Sequence, residues 1–143
     1  SSVAVKWINS QNEDFLKQAD KILKDLQDKK IEIIMPELAK YEIGNALLNK
    51  GMSLIETQTV LEKFYEIPII FIVEDNSLAK KTIGIAKSFN ITYYDAAFLA
   101  LTQKIGGILI TDNPKHQKKK IKNLKVKVLK DYTQKIHPKG VRG

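Results

Sequence analysis

Three acidic residues stand where apolar neighbours make a carboxylate conspicuous. Glu42 lies within Pro36-Glu37-Leu38-Ala39-Lys40-Tyr41-Glu42-Ile43-Gly44-Asn45-Ala46-Leu47, one helical turn from Leu38 and Ala46, on the face the pattern marks for burial. A buried carboxylate is costly unless it is paired or coordinates a cation. Asp95 heads the run Asp95-Ala96-Ala97-Phe98-Leu99-Ala100. An acid in a first helical turn also serves simply to cap free N–H groups and complement the helix dipole. Asp112 follows Ile108-Leu109-Ile110-Thr111 and precedes Asn113-Pro114, a sequence equally suited to an ordinary turn. Each acid alone has a structural explanation. Gathered together they would repel, and each carboxyl would titrate high unless a cation were shared. Hard divalent ions with oxygen ligands meet that need, and Mg²⁺ takes few carboxylates while keeping waters and phosphate oxygens. Such a site activates water and offsets charge on a phosphodiester.

The elements that must position these acids emerge from periodicity. Phe15, Leu16, Ala19, Ile22, Leu23 and Leu26 recur at helical spacing, which predicts an amphipathic helix over Glu13 to Lys29. Ile31 to Met35 reads as a buried strand, followed by a helix set up by Pro36, running through Leu47 and closed by Gly51. Ser53 and Glu56 form a capping box for a helix to Phe64, and Ile69 to Val73 is a second strand. Leu78, Ala79, Thr82, Ile83, Ala86 and Phe89 trace the next helix, stopped by Asn90. Thr92 and Asp95 open another through Lys104, ended by Gly106 and Gly107. Ile108 to Thr111 is a strand, and Val126 to Leu129 the last one. Strands alternating with helices predict an α/β fold with a mainly parallel sheet covered on both faces. In such sheets ligands gather outside the carboxyl ends of the strands, which is where Asp112 falls.

Composition narrows the alternatives. The chain has 143 residues, enough for one domain with its own core. With no Cys, disulfide scaffolds, zinc-thiolate sites, iron–sulfur clusters and thiol catalysis are excluded. The apolar run at Ile69 to Val73 is far too short to span a bilayer, and no secretory signal is visible. Two His and no Cys leave a nucleophilic triad without support, and the surroundings of Gly44 and Gly84 lack phosphate-loop spacing. The net charge of +8 is uneven: residues 115–143 carry +10, the remainder −2. That basic fifth is either an electrostatic footprint for a polyanion or a solvated lysine-rich surface. Trp7 reads as packing rather than a stacking platform. Of Tyr93 and Tyr94, one lining a groove and the other in the core is the expectation. His116 and His137 carry no evident role.

The quoted segments give the chain a family likeness. It resembles the PIN-domain ribonucleases, most closely the VapC-type toxins of toxin–antitoxin pairs. Ser1-Ser2-Val3-Ala4-Val5-Lys6-Trp7 matches the stretch just after the leading Asp of that family, Glu42 with Asn45 to Leu47 matches its second acidic segment, and Tyr94 to Leu101 matches its third. Gly107 to Asn113 and Val126 to Tyr132 match the closing segments. The resemblance implies a three-layer α/β/α sandwich spanning residues 1–143 and a pocket binding Mg²⁺ or Mn²⁺. It implies cytoplasmic cleavage of RNA, an antitoxin partner and a homodimer. Glu42, Asp95 and Asp112 would hold the metal, with Ser2 and Thr111 orienting them and Lys115, Lys118, Lys119 and Lys120 drawing in RNA. Two departures stand out. The family's leading Asp would precede Ser1, as would its central strand, so both are expected upstream of this numbering. The fourth acid usually sits two after the Thr, where this chain has Asn113, so either Asp112 or Asn113 completes the site. The rival readings are an RNA-processing PIN nuclease without an antitoxin, and a metal-free RNA-binding module that uses only the basic C-terminal segment.

Overall fold

The computed structural model describes residues 2–8, 16–111, 125–132 and 139–142, with backbone alone at Ser2, Ile8, Val128 and Lys139–Arg142. Among them the order is α1 (Ser2–Ile8), α2 (Leu16–Gln27), β1 (Glu32–Pro36), α3 (Ala39–Leu48), α4 (Leu54–Glu66), β2 (Ile70–Ile72), α5 (Asn76–Phe89), α6 (Tyr93–Ile105), β3 (Ile108–Thr111), β4 (Lys125–Val128), a short 3₁₀ turn at Leu129–Asp131, and β5 (Lys139–Arg142). The fold is α/β. The described strands form one sheet in the order β2-β1-β5-β3-β4, and every pairing among them is parallel.

Local chemistry sets the boundaries. The Ser53 hydroxyl accepts from the Glu56 amide at 3.2 Å and starts α4. The Asp75 carboxylate accepts from the Leu78 amide at 2.8 Å and starts α5. Asn90, at φ 51°, and Gly106, at φ 68°, close α5 and α6 in the left-handed region that Asn and Gly tolerate best. Pro36 belongs to β1, where it pairs with Ile72, so α3 begins three residues later than the proline suggests. The Glu37 amide extends that pairing by donating to the Ile72 carbonyl at 3.0 Å.

The core is continuous from sheet to helices. Ile33 and Met35 of β1, Leu109 and Ile110 of β3, and Phe98, Leu99 and Leu101 of α6 are fully or almost fully buried. Helix α6 is buried without interruption from Ala96 to Thr102, as expected of a helix apolar on every side. Its one buried hydroxyl is satisfied locally: Thr102 Oγ1 donates to the Phe98 carbonyl at 2.7 Å. Helix α1 packs against α2, α3 and α4, and the Trp7 indole N–H donates to the Ala19 carbonyl at 2.6 Å, a packing role as expected. Among the described residues no helix is long and apolar enough to cross a membrane.

Two expectations are corrected. The strand at Val126 begins one residue earlier and stops at Val128, because Leu129 turns into the 3₁₀ segment. It is also not the last strand. β5 comes after it and takes the sheet's centre, between β1 and β3, the place the family likeness gives to a strand before Ser1. Lys139-Gly140-Val141-Arg142 has no apolar alternation, so nothing in its sequence marks a strand. Its pairing satisfies the facing backbone groups of β1 and β3, which must find partners when buried.

The 3₁₀ turn that precedes β5 is tied to α2 through Asp25. This buried carboxylate accepts from Lys21 Nζ at 2.6 Å and from the Tyr132 hydroxyl at 2.7 Å. Burial pushes the Asp25 carboxyl up, but these two hydrogen bonds and the charges of Lys21 and Lys30 outweigh it, leaving it below the usual carboxylate range. A carboxyl depressed by folding stabilises the native state above its unfolded pKa of about 3.9 and loses that contribution as pH falls. Asp25→Asn should therefore flatten the acid limb of a urea-midpoint profile between about pH 5 and 2. Tyr132→Phe should cost about 1–2 kcal/mol at neutral pH by leaving a buried carboxylate oxygen short of a donor.

Candidate functional site

The carboxyl ends of β1 and β2 and the starts of α3 and α6 meet at one edge of the sheet. Two cavities open there. The first, about 190 Å³, is lined by residues at the ends of β1 and β2, including Pro36, Glu37, Ile72 and Glu74, and by Leu78, Tyr93 and Tyr94. The second, about 330 Å³, is lined by Tyr41, Glu42, Asn45 and Tyr94. Tyr94 borders both, so the two cavities are neighbours.

Glu42 stands in the first turn of α3 and Asp95 in the first turn of α6. Both carboxylates are therefore at the positive ends of helix dipoles, which favour an anion there. Glu42 and Asn45, three residues apart, share one helical face and reach the same cavity. Asp95 directly follows Tyr94 in the chain. Thr92 is the N-cap of α6, its hydroxyl accepting from the Asp95 amide at 3.1 Å.

Two carboxylates, Glu37 and Glu74, border the first cavity. Glu37 pairs with Lys40 at 2.9 Å, and the Lys40 ammonium also lies over the Phe71 ring, 4.6 Å from its centroid. Its pairing with Glu37 holds Lys40 above the usual lysine range. Glu74 accepts from the Tyr93 hydroxyl at 2.7 Å. Burial, then this donation to a carboxylate, pushes the Tyr93 phenol up, so Tyr93 remains a protonated donor at neutral pH. Sequence reasoning missed Glu74, although it lies just past the end of β2 as Asp112 lies just past β3. It also singled out Asn45 only as part of a segment. Against the expectation of one core ring, neither tyrosine is in the core: Tyr93 is half-buried and hydrogen-bonded, Tyr94 is exposed, and both line the first cavity.

Of the other sequence-predicted positions, Thr111 and Ser2 are among the described residues. Thr111, the last residue of β3, is buried. Ser2 is the first residue of α1. Asp112, Asn113, Lys115, Lys118, Lys119 and Lys120 lie outside the described residues, as do His116 and His137. Among the described residues no group of three or more His, Asp or Glu side chains is gathered to hold a metal. The second cavity offers one carboxylate, Glu42, and the Asn45 amide, while Asp95 is among the lining residues of neither cavity. That donor set is all hard oxygen and matches the small carboxylate complement of Mg²⁺, with waters and phosphate oxygens filling the remainder.

Comparison with known proteins is consistent with this geometry. The PIN domain family model matches residues 1–122. A curated relative, "Ribonuclease VapC3" of Pyrobaculum aerophilum, is 28% identical over 116 residues, covering 78% of this chain and 83% of the relative.

The division of labour at the start of α6 is testable. Thr92→Ala should lower stability by about 1 kcal/mol through loss of the cap. Asp95→Asn should cost no more than the roughly 0.3–1 kcal/mol that the helix dipole contributes, leaving the protein folded. A collapse of folding in Asp95→Asn would assign that carboxylate to the helix rather than to a site.

Proposed function

The chain belongs to the PIN-domain family, and on that premise we propose that it is a divalent-metal-dependent endoribonuclease, the toxin of a toxin–antitoxin pair. The observation that carries this reading is the cavity lined by Glu42, Asn45 and Tyr94 at the carboxyl edge of a parallel sheet, with Asp95 next in the chain. The relative named as a ribonuclease supports the same activity. The fold class that goes with it is the three-layer sandwich, and the antitoxin and homodimer come from the VapC likeness. A cytoplasmic location goes with RNA as the substrate.

Glu42 and Asp95 would hold Mg²⁺ or Mn²⁺, completed by Asp112 or Asn113. The ion, when bound, supplies charge compensation at the phosphodiester and acidifies water. The protein's own part is placement. The first turns of α3 and α6 fix the two carboxylates on rigid helices, and the helix dipoles favour their ionised form. The buried Thr111 side chain orients the end of β3, from which Asp112 and Asn113 continue. The basic C-terminal fifth raises the local concentration of RNA, in a salt-dependent way. Hydrolysis adds a water oxygen to phosphorus and breaks the bond to the 3′ oxygen, leaving a 3′-hydroxyl and a 5′-phosphate.

Cleavage of a labelled RNA in Mg²⁺ or Mn²⁺ tests the proposal. Glu42→Gln and Asp95→Asn should each reduce kcat/KM by at least about 100-fold, and excess chelator should abolish cutting. A protein that holds RNA equally well under chelator and never cuts it would instead be the binding module. Expression alone should arrest growth, and co-expression of the adjacent upstream reading frame should relieve it. An enzyme that cuts RNA without arresting growth would be a processing nuclease.

A further inference from the structure

Two tyrosines from different helices converge on the Glu42 cavity. Tyr41 of α3 is 75% exposed and Tyr94 of α6 is 61% exposed, and both line that cavity with Asn45. Scattered exposed aromatics are ordinary. Two at the mouth of one cavity, beside a carboxylate and an amide, form a surface of defined composition. The neighbouring Tyr93 marks the contrast, because its hydroxyl is committed to Glu74. The Tyr94 ring instead borders both cavities at this edge.

We propose that Tyr41 and Tyr94 form a stacking platform for the nucleobase flanking the bond that is cut, with the Asn45 amide hydrogen-bonding to that base's edge. The inference rests on the nuclease reading and names positioning residues for it. Every base presents a π face, so tyrosine stacking holds a base without demanding its identity. The Asn45 amide carries both donor and acceptor and supplies the preference among bases. A base inside a duplex cannot offer its face to a side chain, so the platform takes unpaired nucleotides. Seating the base fixes the adjoining phosphodiester relative to Glu42, which converts binding into orientation.

The test measures KM and kcat in Mg²⁺ on an unstructured oligoribonucleotide, and the Kd for the same oligonucleotide by fluorescence anisotropy in chelator. Tyr94→Ala and Tyr41→Ala should each raise KM and Kd about tenfold, with a smaller effect on kcat. Tyr94→Phe and Tyr41→Phe should restore both, since the ring rather than the hydroxyl makes the contact. An unchanged thermal midpoint in the alanine variants shows that folding is not the cause. Unaltered KM and Kd in the double alanine variant would overturn the platform while leaving the nuclease intact, as would losses that phenylalanine does not repair. A wild-type protein that cuts nothing, yet loses oligonucleotide binding with the tyrosines, would end the nuclease reading and with it the platform's role beside a cleaved bond, leaving a stacking surface of a binding module. One that neither cuts nor binds would end both.

Discussion

Parallel pairing makes every strand of this sheet point the same way, so each strand must end at the same edge. The chain can leave a strand there only by turning into a loop or a helix. β1 ends at Pro36 and delivers the start of α3 within three residues. β2 ends at Ile72 and delivers α5 through the Asp75 cap. That edge therefore collects strand termini, helix N-termini and the side chains they carry, whatever their separation in sequence. Glu37, Glu42, Glu74 and Tyr94 line adjacent cavities for this reason.

The acids near this edge are held in different ways. Glu37 is neutralised by Lys40, whose ammonium is in turn seated on Phe71. Glu74 accepts from a tyrosine that burial keeps protonated. Glu42 and Asp95 are placed differently, each in the first turn of a helix, where the backbone dipole favours a negative charge. Local stability and a cation site are compatible there, because the helix end stabilises the anion and leaves its geometry fixed.

The remainder of the molecule serves to keep this edge in register. α6 is buried from Ala96 to Thr102 and passes against β1, β3 and β5, which anchors the turn just before that segment to the core. The Asp25–Tyr132 hydrogen bond links α2 to the turn before β5, and β5 bridges the two halves of the sheet by pairing with both β1 and β3. A polar central strand is unusual for a parallel sheet, whose buried strands are commonly apolar runs. Here its backbone partners hold it.

Much of this was legible because it is local. Caps at Ser53, Thr92, Asn90 and Gly106 involve residues no more than four or five apart, and the strand Ile108–Thr111 announces itself by an apolar run. The family segments around Glu42 and Asp95 are contiguous, so the candidate acids were visible as residue types at a spacing. Spacing cannot express which distant groups meet. Tyr93 and Glu74 are 19 residues apart, Asp25 and Tyr132 are 107 apart, and Lys139–Arg142 becomes a strand only because two edges await it. The sequence by itself determined the order of the elements, their stops and starts, and the acids at their boundaries, since these depend on interactions within a turn or two. Only the tertiary structure decided the strand order, the partners of Glu37 and Glu74, and the meeting of Tyr41 with Tyr94, because these depend on how elements far apart in the chain pack against one another.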